Sequence, residues 1–207
     1  MNATDILSQE HQVILRVLVA LERILDSAVR TGALDGESSR AAIEFFQEFA
    51  DNCHHAKEEE RLFPMLIEHG LPKENGPVAV MLDEHEIGRT LVKTMAHNVN
   101  EAAAGDASAH QAFVHASRTV IDMLRDHIGK EDNVLFPMAQ GFIGEQGNQI
   151  LLDEFAKLEA AHEENLHERM LAVADDLCAR YGVEAQGAIE MSCGGHGCSG
   201  LHGSNHG

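Results

Sequence analysis

Apolar residues recur at steps of three and four along most of this chain, as in Ile6, Leu7, Ile14, Leu18, Leu21 and Leu25, while Gly and Pro cluster between such stretches. That period belongs to helices with one buried face, so the reading is all-α. Helix one is expected from about Asp5 to Arg30 with Thr4 as N-cap, and helix two from Ser38 or Ser39 to His69, before Gly70 and Pro72. Helix three should start after Gly76 with Pro77 in its first turn and reach Ala104; helix four should run from about Ser108 to Ala139. A fifth is expected from Glu145 to Tyr181. Four rods joined by short loops predict an antiparallel up-down-up-down four-helix bundle over residues 1–143. An additional C-terminal helix over 144–182 is expected to pack on the bundle or in a homodimer contact, and 183–207, rich in Gly, His and Cys, to be a flexible tail.

Composition narrows the function classes. With 15 Lys+Arg against 34 Asp+Glu the net charge is -19, and no basic stripe could displace counterions from a nucleic acid. No apolar run reaches the ~20 residues of a membrane span. The start, Met1 to Asp5, lacks the pattern of a secretory signal, so a cytoplasmic location is expected. The four Cys, at 53, 178, 193 and 198, are too few and too unevenly spaced for a disulfide framework. Histidine is the anomaly: there are 14, beside one Tyr and no Trp.

Several of those histidines fall in a repeat. His54-His-Ala-Lys57-Glu58 leads to Leu62-Phe-Pro64-Met, and His127-Ile-Gly-Lys130-Glu131 leads to Leu135-Phe-Pro137-Met, without a gap between the two alignments. At 3.6 residues per turn, His, Glu and Leu spaced by four share one helix face, and that face must be the buried one if the Leu is core. Lys57 and Lys130 stand ~100° off the stripe and are expected in solvent. A buried carboxylate requires a partner. On helix one, His11 lies on a stripe with Leu7, Leu15, Leu18 and Leu25; on helix three, His85 lies between Met81 and Val92. Four inward imidazoles and two inward carboxylates match two cations, bridged by carboxylates, better than one.

Arranged in this order, the motifs resemble the hemerythrin-like, or HHE cation-binding, family over about residues 5–140. The resemblance implies a non-haem centre of two Fe ions with an oxo- or hydroxo-type bridge that binds O2, NO or peroxide. Carried over position by position, its metal ligands are His11, His54, Glu58, His85, His127 and Glu131, with His11 and His127 on one iron and His54 and His85 on the other. Oxygen-carrying members have a second His four residues beyond the first on helix three and an Asp ending the helix-four motif; Arg89 and Glu131 stand there instead. The set is similar to that of bacterial di-iron proteins linked to nitrosative stress and iron–sulfur cluster repair. Turnover of peroxide or NO as an enzyme, carriage and sensing all stay open, as does iron storage or delivery to an acceptor protein; an electron donor is a further expected partner.

Other positions read more plainly. His55 and Glu59 repeat the same spacing one residue on, and only one of the two pairs is expected at the centre, which leaves His55, Glu59 and Arg89 as supports or on a flank. Pro64 and Pro137 should kink or end their helices. Glu159-x-x-His162 and Glu164-x-x-His167 lie on one helix and face different ways, which argues against a second di-metal site. Cys193, His196 and Cys198 could form a weak accessory metal site.

Overall fold

In the computed structural model, which describes residues 1–161 and 165–184, the chain is built of helices, and no strand occurs among the described residues. The first rod, α1 (Ala3–Thr31), opens after Asn2, whose backbone N–H donates to Asp5 Oδ2, and closes where Gly32 takes a left-handed φ of 75°. Thr4, expected to cap it, is already inside the helix. The second rod, α2, covers 36–68 and starts earlier than expected because Asp35 caps it, accepting from the Ser38 N–H at 3.1 Å. The third is α3 (Pro77–Ala103). The fourth, α4, covers 107–143, and its cap Asp106 accepts from the Ala109 N–H.

Neither Pro64 nor Pro137 ends its helix. Ahead of each, the backbone widens into a π-helical turn, Glu58–Leu62 and Glu131–Leu135, in which the N–H of Phe63 reaches the carbonyl of Glu58 and that of Phe136 the carbonyl of Glu131. The wide turn accommodates a residue with no N–H, and the rod continues. A longer π-helical stretch, Phe46–His55, ends with His54 and His55.

At Gly144 (φ 67°, ψ -179°) the chain turns, and α5 covers 145–161. The expected single long helix is instead two: α6 (Leu166–Arg180) follows Asn165, which is left-handed with φ 65°. Leu166, Met170, Ala174 and Leu177 of α6 bury against α1 and α2. Tyr181, just beyond α6, donates its hydroxyl to Asp35 Oδ2 at 2.7 Å.

The four rods enclose two apolar cores. One holds Ile14, Leu18, Phe49, Val92, Phe113 and Leu124 and receives α6; the other holds Leu7, Leu62, Phe63, Met81, Leu135 and Phe136 and receives Leu151 and Phe155 of α5. Between them every rod contributes polar residues at one level: His11 on α1, His54 and Glu58 on α2, His85 on α3, His127 and Glu131 on α4. No helix among the described residues is long and apolar enough to cross a membrane.

Candidate metal centre

All six residues expected as ligands meet in this layer, each no more than 1% exposed. Glu131 Oε2 lies 3.2 Å from Nε2 of both His11 and His127, and the carboxylate of Glu58 lies 3.7 Å from His54 Nε2 and 3.5 Å from His85 Nε2. Nε2 of His85 and Nε2 of His127 are 3.1 Å apart. Two groups of four bring ligand atoms within 4.8 Å of one another: His11, His54, Glu58 and Glu131; and His55, Glu58, His85 and His127. Glu58 belongs to both. The carboxylate contacts thus join His11 to His127 and His54 to His85, while the ring contacts join His11 to His54, at 4.6 Å between centroids, and His85 to His127, at 4.8 Å.

Nδ1 of each of the four imidazoles faces a carboxylate. His54 donates to Glu10 at 2.9 Å, His85 to Glu59 at 2.6 Å, His127 to Glu84 at 2.9 Å and His11 to Asp132 at 2.9 Å. Ionised carboxylates only accept, so each Nδ1 carries a ring proton and each Nε2 is the nitrogen turned inward, free to present a lone pair to a cation. The acids come from the neighbouring rod in turn: α1 holds the His of α2, α2 that of α3, α3 that of α4, and α4 that of α1. The acids are themselves held, Asp132 by the Ser8 hydroxyl, Glu59 by Arg89, Glu84 by Lys130, and Glu10 by Lys57.

This arrangement fits a cation. Among the described residues, neither oxygen of Glu58 or Glu131 nor Nε2 of His11 has a hydrogen-bond partner. A buried centre made of lone pairs and carboxylates is costly until something positive enters it. Without one, the groups neutralise each other unevenly. Burial and the charge of Glu131 push the Glu58 carboxyl well above the ordinary range; burial acts on Glu131 too, yet the imidazoles of His11 and His127 beside it hold it well below. Burial takes His54 down to about 4 against the pull of Glu10, whereas Asp132 and Glu131 overcome burial and raise His11 to about 9.

Two side chains lie elsewhere than expected. Lys57 is fully buried rather than in solvent, its ammonium between Glu10 and Glu159; burial opposes its charge, and the two carboxylates more than restore it. Lys130 is 42% exposed and bonded to Glu84. His55 turns inward with His54, stacks on His85 at 3.8 Å between centroids, and approaches Asp51 through Nδ1 at 3.4 Å. Glu59 and Arg89 both support His85, through the chain Arg89–Glu59–His85. An apolar cleft of about 100 Å³ between α2, α3 and α4, walled by Phe46, Ala50, Gly88, Val92 and Leu124, has His55 in its lining and Asp51, Arg89 and Lys93 among its polar residues. Cys193, His196, Cys198, His162 and Glu164 lie outside the described residues.

Sequence reasoning missed Glu10, Glu84 and Asp132. The signal was present as adjacency: an acid precedes the inward His on α1 and α3, and an acid follows the inward Glu on α2 and α4.

Among known proteins, the iron-sulfur cluster repair protein YtfE of Escherichia coli O157:H7 is 36% identical over 90 residues, which is 42% of this chain and 41% of that protein. The proteins of the same name from Escherichia coli strain K12 / DH10B and Shigella boydii serotype 18 are each 35% identical over the same length. The chain therefore spans about two-fifths of the length of the curated relatives it matches. No solved structure matches at a significant level. The family described as Hemerythrin HHE cation binding domain matches residues 2–139, which take in the four rods and their buried polar layer, and this chain belongs to that family.

Proposed function

We propose that this chain is a non-haem di-iron protein whose ligands are His11, His54, Glu58, His85, His127 and Glu131, and that it binds O2, NO or peroxide in a cytoplasmic response to oxidative or nitrosative stress. The observation that carries the reading is the common orientation of all four imidazoles: every Nδ1 faces a carboxylate, every Nε2 converges on the layer, and two carboxylates without partners complete the set. Such imidazole–carboxylate pairs orient metal ligands and raise their basicity. Bound there, a pair of irons would supply redox-active metal with open positions for a small ligand. The chain's own residues do the rest. Glu58, in both four-residue groups, would be the residue that two ions share; His55 and the cleft beside it, apolar in its walls with Asp51, Arg89 and Lys93 among its polar residues, offer an approach; and the two cores keep bulk water from the layer. The purified protein should hold about two irons per chain. His54→Ala and Glu58→Ala should lose most of that iron while keeping the helical circular dichroism, and variants that retained it in full would defeat the reading.

The names of the relatives support a second reading, in which the bound iron is donated to a damaged iron–sulfur cluster. Iron transfer to an apo acceptor, measured by recovery of the acceptor's cluster, would favour donation; iron held against a chelator together with reversible binding of NO would favour the ligand-binding role.

A further inference from the structure

Three of the four acids that hold the imidazoles are anchored by groups near water: Asp132 by Ser8, Glu84 by Lys130, and Glu59 by Arg89, whose side chain is 21% exposed. The fourth anchor differs. Lys57 is 0% exposed, and its ammonium lies 2.5 Å from Glu10 Oε1 and 2.8 Å from Glu159 Oε1, while Glu10 accepts from His54 Nδ1 at 2.9 Å. Glu159 belongs to α5, beyond residue 139, where the family match ends. A row of alternating charges therefore runs from α5 into the metal layer; its outer end, Glu159, is 41% exposed, and its middle members, Lys57 and Glu10, are dry. Charges in such surroundings act on each other with far less screening than at a surface.

We infer that α5 is a working part of the metal centre: Glu159, through Lys57 and Glu10, is a positioning residue that sets how strongly His54 donates to iron. The inference rests on the di-iron reading. With Glu159 ionised, Lys57 is shared between two carboxylates, and Glu10 keeps its negative charge for the Nδ1 proton of His54, which makes Nε2 a better donor. A neutral side chain at 159 leaves Lys57 to Glu10 alone, weakens the hold on His54 and adds one positive charge to that side. Both changes disfavour ferric iron more than ferrous. Arg89 supplies the comparison within the same molecule. It too holds an imidazole-binding acid and meets an outer carboxylate, Glu86 at 2.7 Å, but Glu86 is 73% exposed against 41% for Glu159, and Arg89 is 21% exposed where Lys57 is 0%, so water screens that chain more.

The test uses the full chain with Glu159→Gln or Glu86→Gln. Iron affinity is read by chelator competition, the midpoint potential by redox titration, and the His54 imidazole by 15N NMR in the iron-free protein. Glu159→Gln should weaken ferric binding roughly tenfold, the low end for a residue behind a ligand. Ferrous binding should change little, so the midpoint should rise by about 59 mV for a one-electron couple. The His54 signal should move, and the melting temperature should not. Glu86→Gln should leave affinity within about twofold and the His54 signal in place. Unchanged affinity and potential in Glu159→Gln, equal shifts in both variants, or a lower melting temperature with an unmoved His54 signal would each overturn the inference. A wild-type chain that held no iron would defeat the di-iron reading alone. The iron-free spectrum would still decide the relay, since a moved His54 signal supports it and an unmoved one overturns it.

Discussion

At Glu58 and Glu131 two carboxylates share a buried space without a hydrogen-bond donor of their own among the described residues. Burial and the neighbouring charge of Glu131 push the Glu58 carboxyl up, while the imidazoles of His11 and His127 overcome burial and hold Glu131 down, so the two are displaced in opposite directions. A site kept for a cation costs stability when the cation is removed. Glu58→Gln should therefore stabilise the iron-free protein by about 1 kcal/mol while sharply reducing iron content; chemical denaturation of the iron-free form and metal analysis together check it. The inward His and Glu were legible because they repeat at four-residue spacing beside core leucines. Lys57 was not, because its position off the stripe says nothing about an acid on α1 and another on α5 closing over it. Adjacent His54 and His55 both turn inward, at the end of a π-helical stretch that a fixed 3.6-residue step does not describe.

Among the elements, the four rods were readable from apolar period and punctuation, and the misreadings fall at their ends. Asp35 illustrates the cause: its carboxylate caps α2 locally and also accepts from Tyr181, a partner 146 residues away that no local signal reveals. Despite partial burial, the hydrogen bonds from Tyr181 and Ser38 hold the Asp35 carboxyl below its ordinary range. Asp35→Ala should cost about 1 kcal/mol, as a lost N-cap does. A carboxyl depressed by folding contributes its stability above the unfolded aspartate range and loses it as pH falls through the folded value. Thermal melts of wild type and Asp35→Ala should accordingly differ at neutral pH and converge in acid. The wide turns at Glu58–Leu62 and Glu131–Leu135 were hidden in the same way: proline announced an interruption, and the packing of Phe63 and Phe136 into the second core carries the helix past it.

For the whole molecule, the polar layer means that two apolar cores are joined across a region of buried carboxylates that lack hydrogen-bond partners among the described residues. Iron at about a thousand times its dissociation constant adds about 4 kcal/mol, so stripping the metal with a chelator should lower the melting temperature by several degrees, and restoring iron should recover it. A melting temperature indifferent to iron would mean that the layer is not where iron binds. The acids that steady the imidazoles carry one more implication. Each reaches only the next rod, α1 to α2, α2 to α3, α3 to α4 and α4 back to α1, so the circuit has a direction. Greasy packing alone barely distinguishes a four-rod bundle that winds one way from its counterpart that winds the other. In the counterpart every acid would confront the wrong neighbour, and all four rings would lose their orientation at once; the groups that ready this protein for a metal also choose its handedness.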